Sequence, residues 1–309
     1  MDAEFPCTSS DPAAGRAADV LAQRATWAGL AATCCDAFPE LLASLRATLL
    51  VTTYQAGKLV VIRSRSGRLS LCCRSFRRAM GLDVAPDRIA LVTRREVWTL
   101  RNAPEVIGSL RTGRARHDAC FVPRHAHVTG DIRAHEIAFA DDALWLVNTR
   151  FSCLCSLDDA HGFVPRWKPS FITDLAPEDR CHLNGLAMHD GRPKFVTALG
   201  STDTPEGWRE NRIAGGVVID VDSSEIVLSG LCMPHSPRWH DGALWLLNSG
   251  RGELLRVDPQ SGRRDVVARL PGYARGLHLA GEFAFVALSR IRETATFAGM
   301  PVTQWYDRL

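Results

Sequence analysis

The chain has 309 residues, 46% of them hydrophobic, and a formal net charge of +3. That is apolar material for one large core or two ordinary ones. The near-balanced, dispersed charge excludes the single basic stripe that nucleic-acid binding requires. No run of about eighteen apolar residues occurs, so no spanning helix and no membrane association are expected, and the acidic N-terminus lacks a signal-peptide core. A cytoplasmic chain is expected. The ten cysteines fit that compartment. Cys34-Cys35 and Cys72-Cys73 are adjacent, Cys153 and Cys155 share one strand face, and none has the spacing of a structural zinc site.

Residues 1–38 read as an N-terminal extension that is partly helical. The alanine-rich run over residues 16–35 has helical composition, with Val20, Leu21, Trp27 and Leu30 as its apolar members. Pro39 restarts a short helix, ELLASL, and the β-propeller domain is expected over residues 39–309. Two β-rich runs around Ala56-Gly57 predict a hairpin over residues 52–62.

From there one unit recurs. A short apolar strand passes through a polar turn into a second strand that often holds tryptophan. The copies are MGLDVAPDRIALVT, HEIAFADDALWLVN, NGLAMHDGRPKFVT, HSPRWHDGALWLLN and RGLHLAGEFAFVAL, opening at Met80, His135, Asn184, His235 and Arg275. Each is followed by further strand-like segments. Four-stranded units at a period of about 40 to 50 residues are the signature of propeller blades. Five units plus the hairpin predict an all-β, six-bladed β-propeller with a short N-terminal helical segment. Trp145 and Trp245 occupy equivalent second-strand positions and are expected to be largely buried between blades. His189 and His240, in the two HDG turns, are expected to be exposed.

The innermost strand of each blade lines the central channel, so the five opening residues should face its mouth. A repeat keeps packing residues by default, yet this position carries His135, Asn184, His235 and Arg275. Two imidazoles and an amide on one axis could hold a divalent transition metal, which imidazole suits better than calcium. His182, Glu136 and Arg238 lie beside them, Glu136 being the candidate general base. The alternative is that these side chains make polar contacts and hold water.

Three connecting segments carry the other candidates. Residues 124–136 hold His125, His127 and Asp131. Residues 163–185 include Arg166, Trp167, Asp179 and Arg180. Residues 200–211 carry Asp203, Trp208, Arg209, Glu210 and Asn211. Charged residues beside Trp167 and Trp208 suit a small polar molecule or a peptide, and loops on a rigid scaffold are where recognition residues sit. No G-x-S-x-G, H-E-x-x-H or P-loop motif occurs. Cys181 and His182 are strand neighbours that point to opposite faces, which argues against a thiol–imidazole pair.

The phrases TYQAGKLVVIR, HVTGDIRAHEIAF, LWLVNTRFSCLCSLD, PEDRCHLNGLAM, TALGSTDTPEGWREN, MPHSPRWHDGALWLLNSGRGELLRVD and RETATFAGMP resemble an uncharacterised bacterial family of conserved hypothetical β-propeller proteins, over about residues 38–301. The resemblance implies a propeller and no established activity. A more remote similarity is to the gluconolactonase and senescence-marker-protein propellers, whose Asn-Gly-Leu openings supply metal ligands. Asn184-Gly185-Leu186 matches one such opening. His135 and His235 stand where that family would use a carboxylate, so its calcium-type site is not carried over. Members of the bacterial family continue past FAGMP with further strands, so the last blade is expected to lack closing strands or to close with the N-terminal hairpin. Two functions follow. One is ligand binding at the channel mouth, with metal-dependent hydrolase or lactonase-like activity. The other is a non-catalytic protein-interaction scaffold.

Overall fold

The computed structural model describes residues 3–4, 22–27, 30–109, 117–141, 143–289 and 299–304. The chain divides into two compact units, Met1–Ala79 and Met80–Leu309.

In the first unit, β1 (Ala3–Glu4), β2 (Ala22–Trp27) and β3 (Leu30–Cys35) form one sheet, with β3 parallel to β1 and antiparallel to β2. The helix expected over residues 16–35 is thereby corrected for residues 22–27 and 30–35; the rest of that run lies outside the described residues. Alanine's helical propensity is a weak prior, and backbone pairing overrides it here. Helix α1 (Ala37–Ser44) holds Pro39 in its first turn, where no intrahelical N–H donor is needed, and buries Leu42. Strands β4 (Thr48–Thr53), β5 (Lys58–Arg65) and β6 (Arg68–Ser75) pair in order as an antiparallel meander. The hairpin expected as a sixth blade is the β4–β5 arm of this three-stranded sheet, which belongs to the first unit. The propeller therefore has five blades, not six.

Those five blades make up the second unit. They are β7 (Leu82–Ala85) to β10 (Phe121–Val128), with β8 (Arg88–Val92) and β9 (Glu96–Asn102) between; then β11 (Ala134–Phe139), β12 (Leu144–Asn148), β13 (Cys153–Ser156) and β14 (Val164–Trp167). The third is β15 (Leu183–His189), β16 (Arg192–Ala198), β17 (Gly216–Asp220) and β18 (Ile226–Leu231). The fourth is β19 (Pro234–His240), β20 (Ala243–Asn248), β21 (Glu253–Val257) and β22 (Arg264–Arg269). The fifth shows two strands among the described residues, β23 (Tyr273–Ala280) and β24 (Phe283–Ser289). Strands pair in sequence order within each sheet, and the first strands β7, β11, β15, β19 and β23 lie side by side. Residues 121–128, partly expected as a loop, are the outer strand β10.

Sequence chemistry explains the meanders. The β15–β16 and β19–β20 turns are Asp190-Gly191 and Asp241-Gly242, with φ of 48° and 71° and of 48° and 69°. Two successive positive values define the hairpin turn that Asp-Gly favours. His189 and His240, just before them, are half-buried rather than exposed, and the His189 ring lies 4.7 Å from Trp239.

The core is laid between blades. Ala138, Val147 and Leu154 of the second blade pack with Leu183, Val196 and Ile219 of the third. Ala187 and Val218 meet Leu244 and Leu255, and Leu247 and Leu254 meet Ala274 and Leu277. Trp145 and Trp245 pack against these clusters but are half-buried, less than expected. The Trp245 indole N–H reaches the His240 carbonyl at 3.2 Å, at the end of β19. Among the described residues no helix is long and apolar enough to cross a membrane.

Candidate functional site

The inner strands share one local device where they begin. Arg133, His182 and Met233, at φ of 51°, 51° and 50°, each stand two residues before His135, Asn184 and His235. A left-handed non-glycine residue costs about 1 kcal/mol or more, and such strain gathers where side chains must be aimed. Register shifts follow at Ala134/Ile137, Leu183/Gly185, His235/Arg238 and Ala274/Leu277. A bulge re-aims the side chains beside it. The opening residues are thus set by the backbone, blade after blade.

Two of them are held alike. His135 Nδ1 lies 3.0 Å from the Arg133 carbonyl and 2.7 Å from Thr149 Oγ1. Thr149 donates its own proton to the Leu183 carbonyl at 2.6 Å, so it accepts from the imidazole. His235 Nδ1 lies 2.9 Å from the Met233 carbonyl and 3.2 Å from Ser249 Oγ. A carbonyl can only accept, so both rings carry their proton on Nδ1 and keep the Nε2 lone pair. Neither Nε2 has a hydrogen-bond partner among the described residues.

His182 makes a third such ring. Its Nδ1 donates to the Asp179 carboxylate at 2.9 and 3.0 Å. Asp179 is 2% exposed, and Arg133 Nη1 reaches it at 3.3 Å. The His182 ring lies 4.9 Å from His135, edge-on, and 4.5 Å from Trp208. Two residues on, Asn184 Oδ1 accepts from Thr197 Oγ1 at 2.7 Å, whereas its buried Nδ2 has no acceptor.

Electrostatics unite the group. Burial, then the charges of His182, Arg275 and His235, hold the His135 imidazole well below its ordinary pKa. Burial and Arg275 do the same to His235. Both rings are therefore neutral near pH 7. Arg275 is half-buried and has no carboxylate partner among the described residues. The coupled groups are thus one cation, two neutral imidazoles and a third imidazole on a carboxylate, with an idle amide donor two residues from the last. Among the described residues no three His, Cys, Asp or Glu side chains are grouped so that they could hold a metal. A guanidinium beside the rings adds repulsion against a cation.

Glu136 is committed elsewhere. Its carboxylate takes Arg238 Nη1 at 3.2 Å and Nη2 at 3.3 Å. Arg238 also donates to the carbonyls of Leu277, Leu186 and Pro237. This one side chain ties the inner strands of the second to fifth blades. Burial pushes the Glu136 carboxyl up and Arg238 opposes that. The geometry is that of a tie across the channel, not of a base facing a ligand.

The remaining sequence candidates scatter. His127 lies on the outer strand β10 and donates from Nε2 to the carbonyls of His161 and Gly162, both at 3.1 Å; it is not brought to the mouth. Asp131 is bound by Arg94 at 2.8 Å. Burial alone would raise its pKa, but Arg94, Arg150 and Arg133 hold it below the usual carboxylate range. Asp203 accepts from Thr173 N, Thr173 Oγ1 and Arg180 Nη1 at 3.1, 2.7 and 2.8 Å, fastening the preceding segment. Trp208, expected on an open loop, is 2% exposed and packs with Leu199, Met233, Tyr273 and Met300. It forms the wall behind His182.

Sequence reading passed over Thr149 and Ser249 and named Asp179 only as a loop residue. The hydroxyls had a signal: LWLVNT and LWLLNS place one at the same distance after each opening histidine. Asp179 has none, because it belongs to no repeat.

A profile described as a domain of unknown function, DUF4915, matches residues 36–309, and the chain belongs to that family. No curated protein matches it. Among solved structures, a putative oxidoreductase (glucose dehydrogenase) from Thermus thermophilus is similar at TM-score 0.52 and 16% identity, over 79% of this chain and 88% of that one. A nidogen/laminin complex chain follows at 0.51 and 13%, over 77% and 84%. A gluconolactonase from Xanthomonas campestris gives 0.46 and 14%, over 80% of each. At such identities the first two likenesses show the fold alone.

Proposed function

We propose that this DUF4915 propeller binds a small anionic, hydroxyl-bearing organic molecule at the channel mouth. One observation carries the reading: a half-buried Arg275 without a carboxylate partner acts on the two neutral histidines His135 and His235. A cation of this kind is satisfied by a carboxylate or phosphate, which a guanidinium grips with two parallel hydrogen bonds. The free Nε2 atoms accept hydrogen bonds from ligand hydroxyls, and the Asn184 amide donates. Mouths of closed β-structures are habitual sites for small ligands, with a few placed polar groups on a rigid wall.

The anion reading is preferred to a transition metal on His135, Asn184 and His235 because the Arg275 charge that acts on both histidines opposes a cation beside them. A protein-interaction scaffold has no comparable observation behind it, since the polar groups converge inward rather than across a surface.

Thermal unfolding with a panel of hydroxy-carboxylates and sugar phosphates tests the reading. The expected result is a rise in Tm with at least one anion, and no rise with the corresponding neutral amide or alcohol. Equal shifts with charged and uncharged compounds would count against it.

A further inference from the structure

We infer that His182, positioned by Asp179, is the general base of a metal-free hydrolysis of a carboxylic ester bound at this mouth, with Asn184 Nδ2 as the oxyanion donor. This rests on the binding reading above and adds a reaction to it. Three observations support it. The Asp179 carboxylate fixes the His182 tautomer with both oxygens, 2.9 and 3.0 Å from Nδ1, and Asp179 is itself buried. That is the orienting arrangement of a base whose Nε2 takes up a proton. Trp208 and His135 pack against the ring and hold its plane. Two residues away, Asn184 is 3% exposed and its Nδ2 lacks an acceptor. A buried amide donor left unpaired costs about 1–3 kcal/mol. Arg88 Nε, Asn148 Nδ2, Trp208 Nε1 and His240 Nε2 are buried without a hydrogen-bond partner as well. What singles out Asn184 is its place two residues from the Asp179-held imidazole, where its idle donor is assigned to an oxygen that arrives with the ligand. Preorganised donors of this type stabilise developing negative charge.

Glu136 cannot take this role while Arg238 occupies both its oxygens. His135 and His235 share their Nδ1 protons with a neutral carbonyl and hydroxyl, so no carboxylate stabilises an imidazolium on either.

The step balances as follows. A water molecule adds through oxygen to the acyl carbon while its proton passes to His182 Nε2. The carbonyl π electrons move onto oxygen, which the Asn184 amide N–H binds. On collapse the C=O bond re-forms, the bond from acyl carbon to alkoxy oxygen breaks, and the imidazolium returns its proton to the leaving alcohol. No electron carrier is needed. Arg275 would hold a second, remote carboxylate of the substrate.

The probe is p-nitrophenyl hydrogen succinate, an activated ester with a free carboxylate, followed by nitrophenolate release from the full-length protein. The expected result is turnover above the buffer rate with a solvent isotope effect of about 2, as proton transfer to a base requires. H182Q should lose at least 100-fold in kcat yet bind succinate like the wild type by calorimetry. D179N should lose at least 10-fold in kcat with KM unchanged, and D179E should recover part of it, which a purely structural loss would not. R275Q should instead raise KM. Should H182Q fail to fold, carbethoxylation of the wild type supplies the same answer: modification mapped to His182 should abolish turnover, and hydroxylamine should restore it. Absence of turnover above buffer, or undiminished kcat once His182 is replaced or modified, overturns the inference. Loss of kcat in H182Q with no effect of R275Q on KM would leave the base standing and refute the anion site.

Discussion

His135 and His235 stand one hundred residues apart in the chain and are held by the same two-part fixture. Each Nδ1 meets the carbonyl of the residue two before it, at 3.0 and 2.9 Å, and a hydroxyl fourteen after it, on Thr149 and Ser249, at 2.7 and 3.2 Å. The shared left-handed residue and bulge explain the match: once the backbone fixes the ring, the hydroxyl on the neighbouring strand falls within reach. Two imidazoles with identical tautomers and free Nε2 atoms are a constructed feature of the mouth.

Acid should weaken the fold through these two rings. Their folded pKa values lie below the ordinary histidine value of about 6.5. Between the two values the unfolded chain binds more protons than the native one, so stability rises with pH there. Their full contribution is present above pH 6.5 and declines as pH falls below it. Urea midpoints measured from pH 7.5 to 5 should fall in the wild type and fall less steeply in an H135Q/H235Q double variant. Parallel curves would show that neither ring is held neutral by burial.

The Glu136–Arg238 tie should be a matter of stability. E136Q leaves Arg238 with its backbone acceptors but without its counter-charge. Breaking a buried pair can cost 3–5 kcal/mol, and since Arg238 keeps some solvent contact, a loss of about 1–3 kcal/mol is expected in chemical denaturation. A loss below about 0.5 kcal/mol would show that the pair does not join the blades.

Gly185 should tolerate no side chain. A Cβ there would sit 2.3 Å from Pro237 Cδ and 2.5 Å from Thr197 Oγ1, where the third blade's inner strand meets the fourth's. G185A should destabilise by about 1–3 kcal/mol, and by displacing Thr197 should disturb Asn184. Unchanged stability would contradict the close approach of those strands.

The propeller was legible because a repeat declares its own period: Met80, His135, Asn184, His235 and Arg275 mark the strand starts to within two residues. The blade count was not, since a β-rich hairpin reads alike whether its sheet is a blade or part of another unit. The run Leu30–Cys35 misled for a local reason: alanine favours helix only until a neighbouring strand offers its backbone. At the mouth, polar residues at the repeat's opening position could be picked out from sequence alone. Their partners could not. The pairing of Glu136 with Arg238, 102 residues away, depends on two inner strands converging across the channel, which composition cannot express. Asp179 reaches His182 because its segment turns back at φ of 53°, and no periodicity signals that turn.

The central claim, that the mouth is an anion site centred on Arg275, is tested most directly by calorimetric titration of the best-binding anion into wild type and R275Q. A half-buried ion pair with the ligand is lost in the variant, so the account predicts at least a tenfold rise in Kd, about 1.4 kcal/mol, with the far-UV spectrum and Tm of the free protein unchanged. Equal affinity in the two proteins would contradict it.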